Sequence, residues 1–508
     1  MQKMADRSLA SMLRSDSAAG VLLVFAVLLL EWTTGFFDGL ENRLYDRASL
    51  LTGRASSDQV VVLAIDDQSI ANIGRWPWSR DVHAKVVDLL TEGQAKTIAN
   101  TTLFFEPQVD RGLVHLTSIK TLLPQSGSDD PLLLRVFDAV SDAIAALDTD
   151  AALARSLQQS GRVILPLVFD MGDPLGRPDQ PLPEHVLRHA VQVEPNTHYL
   201  SSTKAHLPLD AFGNAAVAVG HLNQVPDARD GTLRADPMLI DHDGVWVPSL
   251  ALQTAAHSLN VSTANLRSLG DDVFQLGRVS IPLDSLGRVY PQFYPDKDGR
   301  PAFVTDSLFD VYSGKIPPTK YRGKIVVIGA TAAGVGDRFV TPISSATPPA
   351  IVLAHTTSSL LSGHFFSVPY WGTTVSLVAA LFVAVLVAGL LPKLSGGWAA
   401  LVTGGALGVL VVTEVALLIS AHLWVPLVLP AAALVVGYLG LTTKRFLWTE
   451  AGKLKSDEES AETNRMMGLA HQGQGQLDLA FDRFRRVPLS DALMDNLSNL
   501  ALDFERKR

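Results

Sequence analysis

The sequence predicts an α/β extracytoplasmic domain with a layered, largely parallel or mixed sheet, joined to four transmembrane α-helices and a short all-α tail. One apolar run lies near the N-terminus and three more crowd together toward the C-terminus. About 20 apolar residues cross a bilayer as a helix, so each run is long enough to span. The segment between them alternates strand-like and helix-like apolar patterns, as layered α/β domains do.

Composition narrows the classes of protein further. The 508 residues are 47% hydrophobic, carry a net charge of −9 and include no cysteine. Disulfides, thiolate catalysis and cysteine-ligated metals are therefore excluded. An acidic chain without a basic patch also argues against nucleic acid as a partner.

The apolar runs divide the chain into seven segments. We predict an N-terminal segment 1–17, a transmembrane helix 18–37, an extracytoplasmic domain 38–369, transmembrane helices 370–391, 398–420 and 424–443, and a tail 444–508.

Positive charges set the predicted orientation. Lysine and arginine flank the runs at Lys3, Arg7, Arg14, Lys393, Lys444 and Arg445. All of these fall on one side of the membrane if both termini are cytoplasmic, which is the side that such residues prefer. A cleaved signal peptide is the alternative interpretation of the first run, because its uninterrupted stretch 18–30 is short. No Ala-x-Ala site follows in 31–35, and either interpretation exports the middle domain.

The exported domain opens with a strand–helix–strand pattern. Residues 60–65 form an uninterrupted apolar run, typical of a strand buried on both faces. A helix follows, which Ser79 caps and Gly93 ends. A second strand is expected over 98–105.

The remainder of the exported domain continues this alternation. The spacing of apolar residues predicts an inserted helical region over 108–157 and another buried strand over 163–169. The turn dipeptides Asp230-Gly231 and Asp243-Gly244 predict hairpins within 217–256. A last buried strand is expected over 324–329, with a helix at 351–361 leading to the membrane.

Polar and aromatic residues follow the predicted strands at points where α/β sheets commonly bind ligands. We regard the following as ligand-binding candidates: Asp66, Asp67, Trp76, Trp78, Arg80, Glu106 and Asp337. Each has a structural alternative as well, since Asp66 can cap a turn, the tryptophans can anchor the core, and Glu106 can simply end a strand.

The sequence predicts neither a cofactor, nor a metal site, nor catalysis. The loop 329–337 lacks the Gly-Lys-Ser/Thr ending of a phosphate-binding loop. The histidines are scattered without zinc-ligand spacing, and no nucleophile elbow, metalloprotease or kinase motif is present. We therefore expect that this chain is not itself an enzyme.

Residues within the spans also carry information. Gly404 and Gly408 have the spacing that lets helices approach closely, either within one chain or between two copies. Glu414 is an ionisable residue inside the third span, so it is expected to face the helix bundle or to be protonated. The sequence reveals no partner for it.

The tail has a different character. Gly468, Gly475 and Phe484 are spaced as in two antiparallel helices of a tetratricopeptide repeat. A further helix begins near Asp491, and half a repeat cannot bury its own apolar face. We expect the natural polypeptide, or a partner, to continue past this point.

Six motifs together resemble the CHASE type 2 family of sensory extracellular domains. The motifs are Ala64-Ile65-Asp66-Asp67-x-Ser69, Gly74-x-Trp76-Pro77-Trp78-x-Arg80, Phe105-Glu106-Pro107, Asp230-Gly231-x-x-Arg234, Ile328-Gly329-Ala330-Thr331 and Asp337-x-Phe339-x-Thr341-Pro342. Asn100 departs from the family, in which an aspartate is common in the second strand. An acidic pocket that needs that aspartate is therefore in doubt here.

The resemblance implies a receptor in the inner membrane of a bacterium. Its periplasmic domain would detect a small molecule or a periplasmic protein, and the cytoplasmic output would be a serine/threonine kinase, fused in longer forms or acting in trans. A homodimer is also compatible with this arrangement. A membrane-anchored scaffold without sensing is the alternative hypothesis, and a periplasmic enzyme is a third.

Overall fold

The computed structural model describes residues 15–507 apart from 109, 124–129, 175, 177–179, 194–198 and 269–272. Lys3, Arg7 and Arg14 of the predicted N-terminal segment lie outside the described residues. The chain divides into two compact units. We call Phe36–Leu377 with Val411–Val428 the sheet unit, and the residues up to Gly35, Val378–Leu410 and those from Leu429 on the helical unit.

The helices occur throughout both units. In chain order they are α1 Asp16–Thr34, α2 Asp38–Ser49, α3 Asp67–Ile73, α4 Arg80–Glu92, α5 Arg111–Leu122, α6 Pro131–Leu147, α7 Thr149–Ser160, α8 Glu184–Leu187, α9 Asp210–Ala215, α10 Leu250–Ser258, α11 Leu308–Tyr312, α12 Pro349–Ser362, α13 Gly372–Val385, α14 Gly396–Ala416, α15 Val428–Gly473, α16 Leu477–Phe484 and α17 Asp491–Lys507.

The strands belong to the sheet unit. They are β1 Val60–Ile65, β2 Thr97–Asn100, β3 Val163–Met171, β4 Ser202–His206, β5 Ala218–His221, β6 Asp236–Pro237, β7 Leu239–His242, β8 Val245–Pro248, β9 Arg267–Ser268, β10 Val273–Leu276, β11 Val279–Pro282, β12 Arg288–Pro291, β13 Val304–Ser307, β14 Ile325–Ala330, β15 Phe339–Thr341, β16 Ser344–Thr347 and β17 Phe365–Phe366.

The main sheet is mixed, as the sequence predicts. Its order is β13-β1-β14-β2-β3-β4, with β5 also paired to β3. The pairs are parallel except for β4 against β3. Alternate residues of β1 enter different cores: Val60 and Val62 pack with α10 and α12, whereas Val61, Leu63 and Ile65 pack with α4 and α7. The apolar run of β1 is therefore covered on both faces.

Local signals place the ends of α4 correctly. The helix follows Ser79 and ends before Gly93, as predicted, but the Ser79 side chain makes no capping hydrogen bond. The reason for the glycine is different, because Gly93 has an ordinary φ of −66°. A Cβ at this position would lie only 2.2 Å from the carbonyl oxygen of Pro318. Close approach of the backbone, and not a left-handed turn, therefore requires glycine here.

Two local predictions are wrong. The second strand ends at Asn100 instead of residue 105, because the Asn100 side chain accepts a hydrogen bond from the backbone of Thr102 at 2.9 Å and turns the chain. Asp230-Gly231 forms no hairpin between adjacent strands, since Asp230 binds Arg234 instead. The Asp243–Gly244 hairpin is confirmed, with φ of 53° and 82° in the turn that joins β7 to β8.

Three helices among the described residues are long and apolar enough to cross a membrane. The first, α1, ends at Thr34 and not at residue 37, because Gly35 adopts a left-handed φ of 60°. The second candidate span, Gly372–Lys393, consists of α13 and the helical turns that follow it. The third, Gly396–Ala421, consists of α14 and the turn that follows it. Residues 424–427 of the predicted fourth span precede α15, which begins at Val428 and continues for 46 residues. A fourth span stays a prediction.

Close glycine contacts hold the helical unit together. A Cβ on Gly20 or Gly437 would crowd Val387, and one on Gly440 would lie 2.5 Å from Leu23. Gly404 and Gly408 behave differently, because no described atom lies within 4 Å of a Cβ built on either. Among the described residues, no other helix therefore lies close to the predicted glycine pair.

A polar cluster joins three segments of the helical unit. Asp16 at the start of α1 accepts hydrogen bonds from Lys444 at 2.9 Å and from Arg445 at 3.0 Å. Arg445 also donates to the carbonyl oxygens of Pro392 and Leu394. The beginning of α1, the link between α13 and α14 and residues 444–445 of α15 therefore lie together.

The tail helices share a small core. Gly468 of α15 lies against the ring of Phe484, as the spacing predicts. Leu477, Ala480, Leu493 and Leu500 complete this core with α17. The assignment to a tetratricopeptide repeat remains a prediction.

Asp236 gives the sheet unit a testable pH dependence. Its side chain is buried, and burial raises its pKa to about 7. The native state therefore retains a proton that the unfolded chain loses near pH 4. The free energy of unfolding should fall between pH 4 and 7, by up to about 4 kcal/mol.

We expect Asp236→Asn to flatten this decline. Chemical unfolding of the full chain at several pH values measures it, with the exposed Asp243→Asn as control. An unchanged pH slope in Asp236→Asn would show that burial of Asp236 does not cause the decline.

Candidate functional site

The carboxyl ends of four parallel strands meet at one edge of the main sheet. Ala64 is level with Ser307, Ile65 with Ala330, and Ile328 with Asn100. The loops that follow these strands therefore start beside one another, as predicted. Whether they form a binding site depends on what their side chains contact.

Asp66 is occupied by contacts within the protein. Its Oδ1 accepts hydrogen bonds from the backbone of Ser69 at 2.8 Å, from the Ser69 hydroxyl at 2.6 Å and from the Ser307 hydroxyl at 2.9 Å. Asp66 thus caps α3 and ties it to the end of β13. Asp67, in the first turn of α3, is exposed.

The two candidate tryptophans form an aromatic cluster. The rings of Trp76 and Trp78 lie 5.0 Å apart, and both contact His83. Trp78 is buried and donates from Nε1 to the carbonyl of Gly74 at 2.8 Å. Burial, with Arg80 nearby, lowers the pKa of His83 to about 4, so this cluster is neutral at pH 7. It anchors the loop to the core behind α4.

Arg80 and Glu106 lie together, but Arg80 binds the backbone carbonyl of Glu106 and not its carboxylate. Arg80 donates to the Glu106 carbonyl at 3.2 Å, lies over the Phe104 ring at 4.6 Å and faces Asp150 at 3.5 Å. The Glu106 side chain is exposed. The guanidinium therefore fastens the end of this loop to α7.

The Asp337 side chain is exposed, and the next residue, Arg338, holds the loop in place through hydrogen bonds. Arg338 donates to the carbonyl oxygens of Thr331 at 2.8 Å and Ala332 at 3.0 Å. Such carbonyl contacts hold the loop shut without involving the Asp337 carboxylate. None of the seven predicted candidates lines the cavity described next.

A cavity of about 620 Å³ lies in the sheet unit, and we call it the Trp424 cavity. Its charged or polar walls are Asp38, Glu41, Asn42, Asp227, Arg229 and Arg288, and its aromatic walls are Tyr290 and Trp424. The lining comes from α2, from the loops before β6 and at β12, and from residues 424–426. Volumes of this size are typical of small-molecule sites.

Glu41 fixes one wall of the Trp424 cavity. One carboxylate oxygen accepts from Trp424 Nε1 at 2.7 Å and the other from the backbone of Val428 at 3.2 Å. The carboxyl group of Glu414 also hydrogen-bonds to that of Glu41. The structure thus supplies the partner for Glu414 that the sequence did not reveal.

Arg234 fixes α2 at a second point. Its buried guanidinium donates to Asp46 at 2.7 and 2.8 Å and to Asp230 at 2.7 and 3.0 Å. Burial lowers the pKa of Arg234, but the two carboxylates outweigh this and raise it above its usual value. Both carboxylate oxygens of Asp230 bind Arg234, which explains why Asp230 does not form the turn of a β-hairpin.

Sequence reasoning missed the residues that build the cavity. The motif Asp230-Gly231-x-x-Arg234 carried the family resemblance, but it revealed neither the Asp230–Arg234 contact nor Asp46 as its third member. Asn42, Asp227 and Arg288 carry no motif and are far apart in sequence. Only a charged residue just after an apolar run, Glu41, offered a local hint.

Comparison with known proteins identifies one similarity. The family model described as the CHASE2 domain matches residues 20–391. No curated protein and no solved structure matches the chain.

We expect Glu41→Ala to destabilise the full chain by about 1–3 kcal/mol, because Trp424 Nε1 and the first amide of α15 lose their acceptor. Glu41→Gln keeps an acceptor oxygen and should cost less. Thermal unfolding in detergent measures both variants. Equal losses for the two would contradict this expectation, because Glu41→Gln keeps the side-chain volume and one acceptor oxygen.

Proposed function

Because this chain belongs to the CHASE2 domain family, a family of sensory domains, we propose that it is a transmembrane signalling receptor. The Trp424 cavity carries the proposal. Its lining, which lies within the sheet unit, includes Trp424 and Pro426, and these residues come directly before α15. An occupant that binds one arrangement of these walls better than another would shift the population toward it.

The proposed arrangement has four spans in the inner membrane of a bacterium, with residues 38–369 outside and both termini in the cytoplasm. The contact of Asp16 with Lys444 and Arg445 supports it, because these residues lie at ends predicted to be cytoplasmic. Arg445 also reaches the link between the second and third spans at Leu394. Positive residues at these positions agree with the preference for the cytoplasmic side.

The proposed output is a cytoplasmic protein, and the family resemblance favours a serine/threonine kinase, either fused in longer forms or recruited by the tetratricopeptide-like tail. The chain itself would perform no catalysis. The open surface at Gly404 and Gly408 is compatible with a second copy of the chain in the bilayer.

Single cysteines test the number of spans, because the chain has no native cysteine. We expect a membrane-impermeant maleimide to label Ser285→Cys in intact cells, and to label Ser395→Cys and Ser460→Cys only after permeabilisation. All three positions are exposed in the folded chain. Labelling of Ser460→Cys in intact cells would mean that residues 424–443 do not cross.

A bulky residue in the Trp424 cavity tests signalling itself. Ala228 is exposed and lines the cavity, so Ala228→Trp should fill it without disturbing a core. We expect hydrogen exchange of α15 amides to change at least about threefold, which corresponds to about 0.65 kcal/mol. Ala71→Trp, exposed and outside the cavity lining, is the matched control. Identical exchange in the two variants would favour a scaffold over a receptor.

A further inference from the structure

The Trp424 cavity contains charged groups of opposite sign that differ in how fully they are paired. Arg288 donates to Asp284 at 2.8 Å and to the Tyr290 hydroxyl at 3.3 Å. Arg229 forms an ion pair with Asp38. Asp227 has no cationic side chain within ion-pair distance among the described residues, and its Oδ1 accepts only from the backbone of Arg229 at 2.9 Å.

Asp227 and Arg288 both line this cavity and attract each other electrostatically. Burial lowers the pKa of Arg288, whereas Tyr290, Asp284 and Asp227 raise it and prevail. Asp227 and Arg288 nevertheless form no ion pair. A carboxylate and a guanidinium therefore face one cavity with a gap between them.

A buried amide completes the polar set. Asn42 lines the cavity, is 5% exposed and makes no side-chain hydrogen bond with the described residues. The amide atoms of Asn42 are not sealed off from solvent, so they can hydrogen-bond to a polar occupant of the cavity. The amide can donate to a carboxylate beside Arg288.

From this geometry we propose that the Trp424 cavity binds a small zwitterion, an α-amino acid or a compound with the same ammonium–carboxylate spacing. The ammonium group would lie at Asp227, and the carboxylate would bind Arg288 and Asn42. A ligand with only a positive charge would face Arg288, and one with only a negative charge would face Asp227, Asp38 and Glu41. Opposed charges in one cavity thus reject both single-charge classes. The assignment deepens the proposed receptor function and rests on it for its biological meaning.

Binding can be tested on the full chain in detergent with the standard L-amino acids, one at a time, by thermal shift and calorimetry. Each amino acid that binds is compared with its amine, which lacks the carboxylate, and its carboxylic acid, which lacks the ammonium. We expect at least one amino acid to bind and both analogues to bind at least tenfold more weakly. Equal binding of either analogue, or no binding by any amino acid, would overturn the zwitterion assignment.

Two variants locate the site. Asp227→Asn keeps the Oδ1 acceptor for Arg229 and removes the charge, and Asn42→Ala removes an amide that has no partner. Each should weaken amino-acid binding at least tenfold, whereas Asp243→Asn in an exposed turn should leave it unchanged. Unchanged affinity in Asp227→Asn or Asn42→Ala would place the ligand elsewhere.

The outcomes separate the two proposals. Amino-acid binding together with no effect of Ala228→Trp on α15 would leave the ligand assignment standing and remove the receptor function. An effect of Ala228→Trp without amino-acid binding would do the reverse.

Discussion

The buried carboxylate of Glu41 is the contact on which the arrangement around the Trp424 cavity depends. A buried carboxylate is costly unless donors surround it, and Trp424 and Val428 provide those donors from the segment that leads into α15. Helix α2 and that segment must therefore stay together in the native state. Because Glu414 adds its own carboxyl group, α14 is joined to the same point.

Arg234 gives α2 a second fixed point on the sheet unit. Asp46 lies on α2 and Asp230 on a loop before β6, so one guanidinium holds both. Between the two polar contacts, Tyr45 is buried and stacks on Trp424 with ring centroids 4.3 Å apart. Directional contacts of this kind specify one position of the helix, whereas apolar packing alone would tolerate several. The cavity beside them thus has a defined shape.

The predicted sheet edge and the observed cavity show how far local patterns reach. Parallel strands do bring the loop after β1 beside those after β13 and β14, as the rule for α/β sheets requires. At that edge, however, the Asp66 carboxylate caps α3, and the Trp78 side chain is buried in the core. Asp66, Trp78 and Arg80 therefore fix the loops at this edge, whereas the side chains of Asp67, Glu106 and Asp337 are exposed.

Hydrophobic periodicity and short motifs are local properties of the chain, so the apolar helices, the buried strands and the family could be predicted from the sequence. It could not determine the ends of β2, where the Asn100 side chain competes with the strand. The partner of Glu414 and the shared cavity of Asn42, Asp227 and Arg288 became visible only in the folded chain. These residues are separated by long stretches of chain, so nothing in their neighbourhood encodes the contact, and the packing of whole elements creates it.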